Sequence, residues 1–149
     1  REGNPDAIHV PRGKVSDSAF DFSFSGLKSA VLNYLNTEEM AGRSICVPDV
    51  AASFQKSVVE VLVGHAMAAA REYHCSRFAL AGGVASNSAL RAAAREACEE
   101  NGITFYCPPP ILCTDNAAMI ACAGYYDYLH GKRSGLDLNA VPNLALGDA

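Results

Sequence analysis

The sequence predicts an α/β layered domain, and three observations carry that expectation. Two short apolar runs, residues 77–81 and 103–107, are each bounded by turn residues and followed by a helix-forming stretch. Helical spacing of apolar residues recurs in four separate segments. Half of the 149 residues are apolar and 19% are charged, enough apolar side chains for a packed core and too few charges for a disordered chain.

Taken in order, residues 8–10 and 19–24 ("AFDFSF") flank the "PRGK" turn as a short antiparallel pair would. "SGLKSAVLNYLN" follows as a helix, with Ser25 placed to cap it and Leu27, Ala30, Val31 and Tyr34 on one face. "EEMAGRSICVP" reads as a loop. Pro48 and Asp49 begin a long helix to about Tyr73, with Val50, Phe54, Val58, Val61, Leu62 and Ala69 on one face. Strand 77–81, a helix over 87–100 closed by Asn101-Gly102, and strand 103–107 come next. After a "PPP" break, a helix spans 116–130 and ends at Gly131. Ala117, Ala118, Ala121 and Gly124 suggest close packing of that last helix.

Composition narrows the function classes. With 12 basic and 16 acidic residues the net charge is −4, so no general nucleic-acid footprint exists and such a contact would be local or shared. No apolar run approaches the roughly 20 residues of a membrane span. The opening "REGNPDAIHVPRGK" has no start methionine and no signal or transit composition, which suggests a chain cut from something longer. Length fits one domain or half of a two-lobed protein. The cysteines at 46, 75, 98, 107, 113 and 122 include no C-x-x-C pair, so reduced thiols acting as small buried hydrophobes are expected rather than disulfides or structural zinc. His65 falls on the apolar face of the long helix, where a satisfied core histidine is expected. His9, His74 and His130 share no ligand spacing, and neither H-E-x-x-H nor G-x-S-x-G occurs.

Three stretches carry possible chemistry. In "FALAGGVASNSALR", Gly82 and Gly83 clear side chains from the backbone at the mouth of a helix, where unpaired N–H groups favour a phosphate or carboxylate. Asn87 adds a donor and an acceptor suited to ribose hydroxyls or a base edge; the simpler alternative is a tight turn with Ser86 or Asn87 as cap. In "PPPILCTDNAAMIACAG", Asp115 is most simply an N-cap, and alternatively a carboxylate holding a metal ion. In "FDFSFSGLK", Ser23, Ser25 and Gly26 could face an anion near Lys28, against a plain cap and a solvated lysine.

"FDFSFSGLKSAV", "DVAASFQKSVVEVLV", "LAGGVASNSALR", "PPPILCTDNAAMIA" and "DLNAVPNL" occur in the order of one family. Over essentially all of its length the chain resembles the C-terminal half of the bacterial-type tRNA threonylcarbamoyladenosine biosynthesis family TsaD, formerly labelled O-sialoglycoprotein endopeptidase or glycoprotease. The resemblance implies one lobe of the actin, sugar-kinase and chaperone-ATPase (ribonuclease-H-like) fold, a mixed sheet flanked by helices. It implies a transferase that moves an L-threonylcarbamoyl group from its adenylate to an adenosine beside the tRNA anticodon. Asn87 matches the adenylate-binding asparagine of "GGV-x-x-N", with Gly82 and Gly83 lining the nucleotide side of the cleft. Asp115 matches the metal-ligating aspartate of "C-T-D-N".

The cofactors so implied are one divalent ion, iron or zinc, and the adenylate or ATP in the cleft. The implied partners are tRNA, a paralogous subunit of the same fold and a small ATPase, all in the cytoplasm and away from membranes. The family's H-x-x-x-H ligands and remaining adenylate contacts belong to an N-terminal half that this chain lacks. "REGNPDAIHVPR" resembles the sequence just after the lobe junction. The expectation is therefore an inactive lobe that binds adenine nucleotide weakly and, with apolar surface exposed, can self-associate. It also requires Asn87 and Asp115 to face one hollow. The metallopeptidase reading lacks a catalytic water-and-base pair, and the interaction-lobe reading leaves "GGVASN" and "CTDN" without a role.

Overall fold

A computed structural model describes residues 3–11 and 20–142. It divides into two compact units, Arg1–Thr114 and Asp115–Ala149. The first contains helices α1 (Ser25–Met40), α2 (Val47–Glu72) and α3 (Ser88–Glu100) and strands β1 (Arg77–Ala79) and β2 (Thr104–Tyr106); the second contains α4 (Ala117–Leu129). The expected α/β composition is present. Among the described residues the sheet has two strands and is parallel, with Phe78 opposite Phe105.

α3 is the crossover between those strands. Its N-cap Asn87 opens the helix, and Leu90, Ala94 and Cys98 form its buried stripe at the i, i+4 spacing of one helix face. Met67 and Ala70 of α2 meet Cys98 and Ile103 in the core, with Phe78 and Phe105 packed beside them. The two rings stack with centroids 6.2 Å apart, and the Arg95 guanidinium covers Phe105 at 5.1 Å. Burial pushes the Cys98 thiol pKa up, as expected of a thiol acting as a small apolar side chain.

The predicted antiparallel pair is corrected in part. The "PRGK" turn lies mostly in 12–19, outside the described residues, while residues 8–10 and 20–24 contain no strand. Residues 3–11 instead run along α2, whose polar side chains take the place of a ladder. Ser53 Oγ accepts the Ile8 N–H and donates to Asn4 O, each at 3.3 Å, and Ser57 Oγ donates to Val10 O at 3.3 Å. Asp49 accepts the Asn4 N–H at 2.7 Å, and Lys56 pairs with Asp6. Gly3 is required there, because a Cβ would lie 2.0 Å from Pro48 O.

This contact also corrects the predicted single apolar face of α2. Val50 and Val61 are buried, but Phe54, Val58, Leu62 and Ala69 are half-buried, and Ser53, Ser57, Val59, Met67 and Ala70 are buried in their place. A helix covered on several sides does not follow one stripe.

His65 is half-buried as expected, its Nδ1 2.8 Å from Val61 O and its ring against Phe22. All six cysteines are free thiols, but Cys46, Cys75 and Cys122 are exposed, so the small-hydrophobe reading holds for Cys98 and Cys113. α1 runs four residues past the predicted Asn36 end, taking in Glu38 to Met40. Its first helical residue is Ser25, whose N–H is accepted by Ser23 Oγ at 3.3 Å; Ser25 is not a cap. Lys28 is exposed, in line with a solvated side chain.

Each helix ends on the same pair of bonds, in which the second residue beyond the cap donates five residues back and the left-handed residue before it donates three back. Gly42, Gly102 and Gly131 occupy that left-handed position after α1, α3 and α4. After α2 it falls to His74, with φ of 51°. An L side chain there costs roughly 1 kcal/mol, so His74→Gly is expected to raise stability by about that amount in urea unfolding.

The hydrogen bond from Asn4, followed by the one from Cys46, holds the Asp49 carboxyl below its usual range. A depressed folded-state carboxyl contributes fully at neutral pH and loses that contribution as pH falls through the carboxylate range. Asp49→Asn is expected to flatten the acid-side loss of stability measured by unfolding at stepped pH.

Candidate functional site

Parallel pairing brings the C-terminal ends of β1 and β2 to one edge of the sheet, so the loops that follow them are neighbours. The β1 loop turns through Gly82, at φ 86° and ψ 172°, a backbone region essentially restricted to glycine. Apart from the adjacent residues, no protein atom lies within 4 Å of a Cβ built at Gly82 or Gly83, so the space beside both glycines is open. A 3-10 turn at Gly83–Ser86, absent from the sequence reading, then leads into α3.

Asn87 is the cap of α3. Its Oδ1 accepts the Leu90 N–H at 3.0 Å, and its Nδ2 donates to Gln55 Oε1 of α2 at 3.1 Å. The side chain is half-buried and lines a cavity of about 310 Å³ with Phe54, Gln55, Val58, Val84 and Leu90. Capping does not use up the Asn87 amide: one Nδ2 proton and one Oδ1 lone pair remain beyond these two bonds.

Arg91, one turn into α3, was not among the sequence candidates. Its Nη1 donates to Ala85 O at 3.0 Å in the β1 loop, and its Nη2 donates to Pro108 O at 2.8 Å in the β2 loop. Nη1 also lies 3.6 Å from Cys113 Sγ, and Cys113 is buried. Ser86 Oγ adds a bond to Pro110 O at 3.5 Å. One planar cation thus ties both loops through their backbone carbonyls. Nothing in the local sequence marks Arg91 for this role, because the proline run that it reaches lies 17 residues further along the chain.

Asp115 begins the second unit, and its predicted capping role is corrected. The cap of α4 is Asn116, in extended conformation, whose Oδ1 accepts the Met119 N–H at 2.9 Å. Asp115 stands one residue earlier and is exposed, so its carboxylate is not committed to the helix as a cap. Within this unit Arg133 lies over the Tyr128 ring at 3.8 Å and donates to Tyr128 O. Ala117, Ala118, Ala121 and Gly124, expected to pack closely, are exposed. Asn87 and Asp115 belong to different units, and each is placed within its own. Among the described residues no group of three or more His, Cys, Asp or Glu could by itself hold a metal ion. No helix among them is long and apolar enough to cross a membrane.

The family profile described as TsaD, tRNA N6-adenosine threonylcarbamoyltransferase, matches residues 1–122. The chain belongs to the TsaD family. That stretch contains Gly82, Gly83, Asn87 and Asp115, so every candidate residue lies within the TsaD match. The chain is 55% identical over 148 residues to the tRNA N6-adenosine threonylcarbamoyltransferase of Clostridium botulinum strain 657, covering 99% of this chain and 44% of that protein. The protein of the same name from Clostridioides difficile strain 630 is 55% identical over 146 residues, covering 98% and 43%. That of Clostridium kluyveri is 52% identical over 149 residues, covering 99% and 44%. This TsaD-family chain thus spans less than half the length of these relatives.

Replacing Arg91 leaves Ala85 and Pro108 carbonyls without their donor. Arg91→Ala is expected to lower stability by about 2–4 kcal/mol for two charge-assisted bonds, and Arg91→Lys to recover less than half, since one ammonium lacks the two-pronged geometry. Urea unfolding of the three proteins measures the difference.

Proposed function

We propose that this chain is the C-terminal lobe of a tRNA threonylcarbamoyladenosine transferase, with the actin and sugar-kinase type of fold. What carries the reading is the 55% identity over 148 residues to a clostridial protein of that name. Parallel strands whose following loops share one edge support it, since open α/β sheets bind ligands at the carboxyl ends of their strands.

In this reading Asn87 contacts the adenosine moiety of the threonylcarbamoyl adenylate, or of ATP, through its remaining N–H and lone pair. Gly82 and Gly83 keep the backbone open on the nucleotide side. Arg91 holds the loop that carries them. A mixed anhydride needs little activation of its leaving group, so the demand on the protein is positioning and charge neutralisation.

Asp115 fits as one ligand of an iron or zinc ion: it is an exposed oxygen donor that caps nothing. One carboxylate does not complete a site, so the other ligands come from the lobe that forms the rest of the relatives' length. When bound, such an ion supplies Lewis-acid polarisation of a phosphate or carbamoyl oxygen. Transfer RNA is the acceptor; a paralogous subunit and a small ATPase are the further partners, in the cytoplasm. The chain by itself is inactive.

Fusing the preceding part of a clostridial relative to this chain is expected to restore threonylcarbamoyl transfer to tRNA, with the chain alone giving none. In the fusion, Asp115→Ala is expected to reduce bound metal at least tenfold by elemental analysis. Asn87→Ala should weaken adenosine monophosphate binding about tenfold, equivalent to about 1.4 kcal/mol. A fusion that folds and binds metal with Asp115→Ala in place removes the carboxylate from the site.

A further inference from the structure

The amide of Asn87 has a fixed sense, and the helix sets it. The Leu90 N–H can be accepted only by an oxygen, so Oδ1 lies on that bond at 3.0 Å and Nδ2 points the other way. Nδ2 meets Gln55 Oε1 at 3.1 Å. Gln55 must therefore present its oxygen, since its own NH2 would oppose the Asn87 NH2. The cap alone leaves the Asn87 amide plane free to rock about the Oδ1 bond. A second bond on the opposite atom stops that motion and aims the remaining N–H and lone pair. Phe54, Val58, Val84 and Leu90 around them are apolar, so the polar side chains lining the cavity are those of Asn87 and Gln55.

We propose that Gln55 is a positioning residue: its Oε1 orients the Asn87 amide toward a nucleoside edge that offers one acceptor and one donor. This rests on the adenosine-binding reading of Asn87. Ordering of a ligand-contacting amide by a neighbour's carbonyl is the kind of support that holds a site to its working geometry.

The test is nuclear magnetic resonance of the 149-residue chain, with the Asn87 side-chain NH2 signal assigned by its loss in Asn87→Ala. Adenosine, which is uncharged, is titrated into the unsubstituted chain and into Gln55→Glu, Gln55→Lys and Gln55→Leu. Glu keeps an acceptor and is expected to preserve both the Asn87 signal and adenosine affinity within about twofold. Lys offers only donors and Leu neither, so both are expected to displace the signal and weaken adenosine about tenfold. A role limited to stability would not separate Glu from Lys in the side-chain signal. If Lys and Leu leave signal and affinity unchanged while Asn87→Ala weakens adenosine, the role of Gln55 is overturned and that of Asn87 stands. If Asn87→Ala leaves adenosine binding unchanged, or the unsubstituted chain shows no adenosine-dependent shift of the Asn87 signal, both assignments fall.

Discussion

The guanidinium of Arg91 is the contact on which the arrangement of the candidate site depends. Parallel pairing of β1 with β2 brings two loops to one sheet edge, but a shared edge does not order loops rich in glycine and proline. Glycine brings backbone freedom, and the prolines at 108, 109 and 110 contribute carbonyls without N–H donors. Arg91 reaches a carbonyl in each loop, at 3.0 and 2.8 Å, from a helix already fixed by the core. Its charge is delocalised over a plane, so both bonds form without a change of rotamer. That side chain holds the loops carrying Gly82, Gly83 and Cys113, with the longer Ser86–Pro110 bond beside it.

α2 links the rest of the first unit. Toward its C-terminal end it gives Met67 and Ala70 to the apolar core, and along its N-terminal half it gives hydroxyls and charges to residues 3–11. Gln55 lies within that N-terminal half, between Ser53 and Ser57, and meets Asn87 at the start of α3. One helix thus serves core, N-terminal segment and candidate site. Buried Ser53 and Ser57 have their hydroxyls satisfied by backbone of residues 4–10, which removes the cost of burying them.

Most of the helices were legible in the chain, and their closures more so. Asn101-Gly102 and Gly131 end α3 and α4 as their residue types predict, because glycine takes the left-handed position after a helix without strain. The closure of α2 was less legible, since His74 holds that position against its side chain. The strands at 77–79 and 104–106 fall within the predicted runs and are shorter, as their ladder includes only two strands among the described residues. Ser25 and Asp115 were both read as caps one residue away from the true helix boundary. At α4 the short polar residues Asp115 and Asn116 stand side by side, and local propensity does not choose between neighbours of similar capping strength. At α1 the boundary falls on Phe24, which offers no capping side chain and which no propensity selects.

By itself, the sequence determined the order of helices and strands from Ser25 onward, the helix ends marked by glycine and the set of motifs that identifies the family, because each is written in local residue type and spacing. Only tertiary structure decided that residues 3–11 dock on α2, that α2 buries serines in place of part of its apolar stripe, and that Arg91 and Gln55 support the loop bearing Asn87. Apart from the Arg91–Ala85 bond, those choices join residues 17 to 50 positions apart. Their partners are backbone carbonyls and side-chain amides common to any sequence, so no spacing rule singles them out before the chain has folded.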